Sequence, residues 1–207
     1  MSLWAIIPVK PLRRGKSRLA GVLTEDQRAE LNEMMLSHTL TTLRGSKLID
    51  EILVISRDPA ALALARDFKA RTVKEDGAPE LNSALKRATT VAQVYSIQQV
   101  LILPADLPLL SVAELESFID HAGDPPSVVI SPDRRADGTN ALLLSPPGII
   151  NYSYGNGSFM KHLRQARQLG IIPRVCPLET IMLDLDLPED LELLRNLELT
   201  KNRSISD

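Results

Sequence analysis

Short apolar segments alternate with well-marked helix starts along almost the whole chain, and this alternation is the feature that most limits the possible folds. The segments are rich in Val, Ile and Leu throughout, which is typical of strands buried on both faces of a parallel sheet. We predict strands at residues 3–9, 51–56, 100–104, 127–131 and 141–144. Because helices between such strands cover the sheet on both sides, the predicted class is α/β with a mostly parallel, mixed central sheet.

Local signals at helix N-termini mark the segments between these strands. Thr24 and Ser111 each precede a Gln or Glu by three residues, which predicts two capping boxes. Asp58 followed by Pro59 predicts a capped helix with proline in its first turn. We predict further helices at residues 80–95, 158–169 and 188–197. The length of 207 residues fits one domain, so we expect residues 1–207 to form a single unit.

Composition and charge exclude several functional classes. The formal net charge is −2, with no long run of one sign, so the sequence lacks the basic footprint of a protein that binds nucleic acid or anionic membranes. The apolar N-terminal run is too short for a signal peptide or a membrane span, and the single cysteine, Cys176, cannot form an internal disulfide. We therefore expect a cytoplasmic protein whose partners are small molecules.

The loop after the first predicted strand is strongly basic. It carries five cations in nine positions, namely Lys10, Arg13, Arg14, Lys16 and Arg18. In a parallel sheet, ligands bind outside the carboxyl ends of the strands, where these cations predict a polyphosphate site. The run Gly15-Lys16-Ser17 suggests a P-loop, but Lys10 stands where that motif needs a glycine, so the P-loop signature fails. The alternative is a solvated basic turn.

Acidic residues follow two other apolar segments. Asp106 lies just past the strand at 100–104, and a carboxylate there is costly to bury unless it meets a cation or several donors. Asp184 and Asp186 alternate with leucines, which places both carboxylates on one side of an extended segment. Such oxygen ligands suit Mg²⁺ together with substrate phosphates. The alternatives are a turn around Asp106 and a helix cap at Asp186.

Three polar segments are candidates for binding the rest of a substrate. Gly138-Thr139-Asn140 offers a hydroxyl and an amide to an anion, or is an ordinary turn. Gly155 and Ser158 precede a helix, which is typical of an anion site or of a plain helix cap. Asn82 lies near another predicted helix start. An asparagine there suits either a hydrogen bond to the edge of a nucleotide base or a cap of the helix.

The chain shows no nucleophile and base pair of the kind that serves acyl transfer. His38, His121 and His162 have no metal-site spacing, and we interpret them as surface or helix-packing residues. Cations for a triphosphate and carboxylates for Mg²⁺ instead favour phosphoryl-type transfer, which depends on positioning and charge neutralisation.

Six motifs follow one another along nearly the whole chain: Pro8-Val9-Lys10-Pro11-Leu12 with Gly15-Lys16-Ser17-Arg18-Leu19; Leu81-Asn82 with Ala84-Leu85; Ala105-Asp106-Leu107-Pro108; Pro132-Asp133-Arg134 with Gly138-Thr139-Asn140; Gly155 with Ser158-Phe159 and His162; and Asp184-Leu185-Asp186 with Pro188. Together they resemble the CofC/FbiD guanylyltransferases of deazaflavin coenzyme biosynthesis. The resemblance implies a Rossmann-like, three-layer nucleotidyltransferase fold.

The resemblance also implies a reaction and a set of site residues. Members condense GTP with phosphoenolpyruvate, or with 2-phospho-L-lactate, and release pyrophosphate. The implied cofactor is Mg²⁺. Matching positions assign the phosphorylated acid to Thr139, Gly155 and Ser158, and the metal to Asp106, Asp184 and Asp186. We expect Lys10, Lys16, Arg18 and Asn82 to bind the nucleotide, with Asp106 and Lys16 catalytic.

Several alternatives stay open at this point. The acid is expected to be phosphoenolpyruvate, with 2-phospho-L-lactate and 3-phosphoglycerate as alternatives that differ from it by few atoms. Asp184-Leu185-Asp186 also fits a sugar-nucleotide-dependent glycosyltransferase, and the loops fit a nucleotide-binding protein without turnover. A downstream deazaflavin-precursor transferase is the expected recipient of the product, and a homodimer is possible.

Overall fold

The computed structural model describes residues 2–203, which contain one seven-stranded sheet of order β3-β2-β1-β4-β6-β5-β7. Only β6 runs antiparallel to its neighbours among these strands, so the predicted mixed, mostly parallel sheet is confirmed. The strands are β1 (Leu3–Val9), β2 (Glu51–Ser56), β3 (Arg71–Lys74), β4 (Gln99–Ile102), β5 (Ser127–Pro132), β6 (Thr139–Ser145) and β7 (Arg174–Val175).

Helices cover the sheet on both faces. They are α1 (Glu25–Gly45), α2 (Pro59–Asp67), α3 (Leu81–Gln93), α4 (Val112–Asp120), α5 (Ser158–Gln168), the single turn α6 (Glu179–Met182) and α7 (Pro188–Arg203). One apolar cluster joins α1, α2, α4 and α6 to the sheet, and a second joins α3 and α5 to its other face. Successive residues of β1 alternate between the two clusters, Ile6 in one and Ile7 in the other. This two-sided burial explains the continuous apolar strands and gives the predicted three layers.

The predicted helix starts agree with the structure. Thr24 forms the full capping box of α1 with Gln27, and Asp58 accepts the backbone N–H of Ala60 at the start of α2. Ser111 caps α4, although Glu114 accepts the Ser111 hydroxyl proton instead of reaching back to the backbone. The helix α3 is capped by Glu80, so Asn82 is not its cap.

Two strands and one helical turn have no counterpart in the sequence prediction. The strand β3 is a four-residue sheet edge with exposed ends, and β7 has only two residues, both exposed. Neither carries the apolar run by which buried strands are recognised. The helix α6 is likewise a single turn of four residues.

An irregularity interrupts the β5–β6 ladder at the edge that faces the candidate site. Ser131 pairs with Ala141, and Pro132 pairs with Thr139, so Asn140 is an extra residue on β6. Such a β-bulge changes the direction in which the following side chains point. Thr139 consequently contacts α5, whereas Asn140 contacts the last residues of α6 on the opposite face.

None of the helices in the described part of the chain is long and apolar enough to cross a membrane.

Asp58 is expected to stabilise the fold twice, because one carboxylate oxygen caps α2 and the other accepts the Leu12 N–H of the basic loop at 2.7 Å. Asp58→Ala should lower the free energy of unfolding by about 1–3 kcal/mol, since it removes a cap and leaves a part-buried N–H without its acceptor. Urea denaturation measures this loss. Thr24→Ala, which removes a cap alone, is the matched control. A loss at Asp58 no larger than that at Thr24 would contradict the second role.

Candidate active site

The basic loop that follows β1 is held in one conformation by its own backbone and by the side chains of Asp58 and Asn32, which both hydrogen-bond the backbone of Leu12. Pro11 O accepts the N–H groups of Arg14 and Gly15, which forms a tight turn. Asn32, on α1, donates to Leu12 O at 2.6 Å, and its amide lies so near Gly15 that a Cβ there would be 2.5 Å from Asn32 Nδ2. A side chain at this position would displace the Asn32 amide from Leu12 O.

Lys16 is the central cation of the site. Its φ of 55° lies in the left-handed region, and its side chain is only 5% exposed. The ammonium donates to Asp106 Oδ2 at 2.5 Å and to Asp186 Oδ1 at 3.2 Å. Burial by itself lowers the pKa of Lys16, but the charges of Asp106 and Asp186 outweigh that effect and the pKa is raised. Lys16 therefore stays protonated between these carboxylates.

The segment carrying Asp184 and Asp186 is extended, as predicted. Leu183 and Leu185 are buried on one side, while both aspartates are half-buried on the other. Leu185 packs with Leu19, from the basic loop, in a small apolar cluster, and its N–H donates to Asp106 O at 3.1 Å. These contacts bring the three acidic candidates and Lys16 to one place at the carboxyl edge of the sheet.

Residues that the sequence prediction did not assign to this role hold the acidic segment. Asn140 donates its amide to Ile181 O and Met182 O and lies 3.4 Å from Asp184 Oδ1. The Asn140 amide therefore binds the acidic segment and is not available to an anion. This corrects the interpretation that Gly138-Thr139-Asn140 offers that amide to an anion.

Asp190 supports the same segment from the start of α7. Its Oδ2 accepts the N–H groups of Asp186 and Leu187, and its Oδ1 accepts a hydrogen bond from Arg134. The sequence signal for this contact is an acidic residue three positions after Leu187, which is the spacing of a capping box. Asp190 rather than Asp186 thus caps the helix, which leaves the Asp186 carboxylate to face Lys16.

The donor chemistry at this edge fits a hard divalent cation, although the geometry is not that of a preformed metal site. Among the described side chains, no three potential ligands are grouped around one point. Lys16 stands between Asp106 and Asp186, where its ammonium neutralises them. Burial, followed by the charge of Asp106, raises the pKa of Asp184. A cation placed between Asp106 and Asp186 would compete with the Lys16 ammonium for their oxygens.

The remaining nucleotide-binding candidates lie in three different environments. Arg18 is exposed and its guanidinium lies 3.7 Å from Asp186 Oδ2, beside the cluster. Lys10 is exposed at the carboxyl end of β1. Asn82 hydrogen-bonds the backbone of Tyr154 on both sides, accepting its N–H at 2.7 Å and donating to its carbonyl at 3.3 Å. The Asn82 amide thus joins α3 to the loop before α5, a contact that neither reading of the sequence anticipated.

The three candidates for the phosphorylated acid meet where β6 enters the sheet. The Ser158 hydroxyl, at the start of α5, donates to Thr139 Oγ1 at 3.3 Å. Gly155, at φ +111°, accepts the Ser158 N–H and closes the turn before the helix. His162, one turn later, is fully buried with Nδ1 at 3.0 Å from Thr139 Oγ1. It is therefore a packing residue of α5 and not a surface one.

Asp137 occupies the N-terminus of α5. Its side chain accepts the Gly157 N–H at 3.1 Å and its backbone carbonyl accepts the Phe159 N–H at 3.0 Å. These contacts occupy the N–H groups of Gly157 and Phe159 at the helix end, and the neighbouring residues Thr139 and Ser158 are both buried.

Known proteins resemble this chain over nearly its whole length. A phosphoenolpyruvate guanylyltransferase of Rubrobacter xylanophilus is 44% identical over 194 residues, covering 94% of each chain. A 2-phospho-L-lactate guanylyltransferase of Methanothermobacter thermautotrophicus is 33% identical, covering 92% of this chain and 83% of that one. A solved nucleotidyl transferase from the same organism superposes with a TM-score of 0.66 at 16% identity, covering 97% of this chain and 99% of that one.

The structural likeness confirms the predicted nucleotidyltransferase fold. The profile of the family described as "Guanylyl transferase CofC like" matches residues 3–203. The chain belongs to this CofC-like guanylyl transferase family.

Proposed function

We propose that this protein transfers the guanylyl group of GTP to the phosphate of phosphoenolpyruvate and releases pyrophosphate. The observation that carries the proposal is the buried ammonium of Lys16 between Asp106 and Asp186, at the sheet edge where nucleotides bind. The name of the relative with 44% identity supports phosphoenolpyruvate as the acid. The relative named for 2-phospho-L-lactate has 33% identity, which makes that acid the first alternative.

The proposed reaction needs positioning and charge neutralisation more than proton transfer. An oxygen of the acid's phosphate attacks the α-phosphorus of GTP, a new P–O bond forms, and the bond to the β-phosphate oxygen breaks. Because the attacking group is already an anion, no general base is required. Lys16, with Lys10 and Arg18 nearer the solvent, would offset the negative charge that develops on the departing pyrophosphate.

Asp106, Asp184 and Asp186 would hold Mg²⁺ in this scheme. The ion would supply further neutralisation of the nucleotide's phosphate oxygens. Lys16 neutralises Asp106 and Asp186 in this structure. If Mg²⁺ took over that neutralisation, the Lys16 ammonium would be free to bind the phosphates of the nucleotide.

Thr139 and Ser158 would bind the phosphorylated acid on the other side of the bulge. Ser158 is only 1% exposed, so its hydroxyl becomes accessible to a substrate only when the turn at Gly155 and Gly157 moves. Both glycines have positive φ, at +111° and +68°, which other residues adopt only with strain. Their flexibility suits a turn that opens for the acid.

The surroundings of the reaction are also part of the proposal. GTP and phosphoenolpyruvate are cytoplasmic metabolites, so we propose a cytoplasmic location. We also propose that residues 1–207 form one domain. A transferase that joins the product to a deazaflavin precursor is the expected downstream partner. A homodimer remains a prediction.

Pyrophosphate release with Mg-GTP tests the proposal directly. Phosphoenolpyruvate, 2-phospho-L-lactate and 3-phosphoglycerate are supplied separately, and mass spectrometry identifies the nucleotide product. A parallel reaction includes the downstream transferase, which removes an inhibitory or unstable product. We expect turnover with phosphoenolpyruvate and not with the other two acids. Release of GDP from a nucleotide sugar without pyrophosphate would favour the glycosyltransferase alternative, and GTP binding without any product would favour a binding protein.

Asp106→Asn should lower kcat at least about 100-fold while the protein keeps its fold, because the change removes one charge from the proposed metal site at constant shape. Steady-state pyrophosphate release measures kcat, and circular dichroism checks the fold. Asp26→Asn is the matched control, since Asp26 is exposed and pairs with Arg13 away from the site. Normal turnover in the Asp106 variant would remove this residue from the catalytic group.

Lys16→Met should bind Mn²⁺ about tenfold more tightly than the parent in the absence of nucleotide, because the ammonium no longer competes for Asp106 and Asp186. The same variant should lose turnover. Electron paramagnetic resonance of free Mn²⁺ gives the affinity. Arg13→Met changes the net charge equally outside the site and should leave the affinity unchanged. Weaker or unaltered Mn²⁺ binding by the Lys16 variant would contradict competition between lysine and metal.

Ser158→Ala should raise KM for phosphoenolpyruvate about tenfold and leave KM for GTP unchanged, because it removes a hydroxyl from the acid side only. Initial rates at varied concentrations of each substrate separate the two constants. Ser17→Ala is a suitable control, since Ser17 is an exposed serine of the basic loop. If KM for the acid does not change, Ser158 serves only to pack the start of α5.

A further inference from the structure

The position of the proton on the His162 ring can be read from its neighbours. The backbone N–H of Ser153 points at Nε2 with an N–N distance of 3.0 Å, so Nε2 must be the acceptor. A neutral imidazole then carries its proton on Nδ1. That nitrogen lies 3.0 Å from Thr139 Oγ1, to which it donates. The Ser153 backbone thereby selects one tautomer of His162.

The surroundings of His162 keep the ring neutral. Burial, and to a smaller extent the charge of Lys161, lowers the pKa of His162 to about 4. The ring of Tyr154 meets the imidazole edge to face with centroids 5.1 Å apart, and Asn82 fixes the backbone of Tyr154. The carboxylate of Asp137, at this end of α5, accepts the N–H of Gly157. A second proton at Nε2 would also face the Ser153 N–H, which cannot accept it.

The Thr139 hydroxyl has a fixed role as a result. Its oxygen accepts one hydrogen bond from His162 and another from Ser158, so both of its lone pairs are used. The hydroxyl proton is the group that remains, and no described residue accepts it. Thr139 is therefore restricted to donating to a ligand or to water.

We propose that His162 is a positioning residue that holds the Thr139 hydroxyl as a donor to the phosphorylated acid. The inference rests on the proposed function, in which Thr139 binds that acid. Phosphate and carboxylate oxygens only accept hydrogen bonds at neutral pH, so a hydroxyl binds them only if its proton points toward them. With the proton on Nε2 instead, His162 would accept from Thr139 and turn the hydroxyl proton away from the substrate.

Two isosteric substitutions separate the two ring nitrogens. The amide NH₂ of His162→Asn lies near the position of Nδ1 and can still donate to Thr139. The amide oxygen of His162→Gln lies near the position of Nε2, where it accepts from Ser153 but provides nothing to Thr139. Both variants lose the ring that packs on Tyr154, and His162→Asn also leaves the Ser153 N–H without its acceptor. A smaller effect of His162→Asn than of His162→Gln therefore reports on the donor to Thr139.

The expected difference lies in binding of the acid. His162→Gln should raise KM for phosphoenolpyruvate at least tenfold, whereas His162→Asn should keep it within about threefold of the parent. KM for GTP and kcat at saturating acid should change by less than threefold in both. Equal increases in the two variants would show that His162 is structural only and would overturn the proposal.

A double-mutant cycle tests whether the effect passes through Thr139. In a Thr139→Val background, which has no hydroxyl to orient, His162→Gln should cause no further increase in KM for phosphoenolpyruvate. Thr139→Ser keeps the hydroxyl and should preserve the tenfold effect. Independent, additive effects of the His162 and Thr139 substitutions would contradict a positioning role.

Two readouts do not depend on turnover. Nitrogen-15 NMR of the full chain with labelled histidine should show His162 neutral with its proton on Nδ1 between pH 5 and 8, and His162→Asn assigns its signals. A ring protonated on Nε2 would overturn the proposal. Calorimetry gives the Kd for phosphoenolpyruvate in variants loaded with a GTP analogue that has a methylene group between its α- and β-phosphates and cannot release pyrophosphate. A tenfold difference in this Kd, together with no pyrophosphate release from GTP by the parent, would refute the proposed reaction but support the role of His162. Equal Kd values would refute that role.

Discussion

The ammonium of Lys16 links segments that are far apart in the chain, because Asp106 and Asp186 reach it from two other loops. Removing one partner of a fully buried ion pair typically costs about 3–5 kcal/mol, since the other charge is left in a poor solvent. The carboxylates of Asp106 and Asp186 are 28% and 44% exposed, so water screens this pair and the expected cost is smaller. The left-handed backbone of Lys16, unusual for a residue with a side chain, is maintained by these contacts and by the turn at Pro11.

The site has two sides because β6 is bulged at Asn140. Thr139 belongs with α5 and the hydroxyl group of Ser158, while Asn140 anchors the segment that carries Asp184. Adjacent residues of one strand therefore serve the acid and the metal sides of the proposed reaction.

Much of the fold could be predicted from the sequence because its signals are local. Buried strands and helix caps such as Thr24 and Asp58 depend on neighbouring residues alone. The carboxylates could be grouped because parallel strands end at the same sheet edge. Asn140 could not be assigned, since it binds backbone carbonyls that only the folded chain brings near. For the same reason Asn82 was interpreted as a base reader or cap, although its amide hydrogen-bonds Tyr154.

The extra residue in β6 has a consequence for how the two sides of the site can be separated. If Asn140 were absent, Thr139 would directly precede Ala141, and strand alternation would still direct its side chain toward α5. Only the Asn140 anchor of the acidic segment would disappear, while Asp190 and Leu185 would still hold that segment. The two sides of the site therefore differ in how they depend on chain length, because this single deletion would loosen the carboxylates and spare the contact between Thr139 and α5.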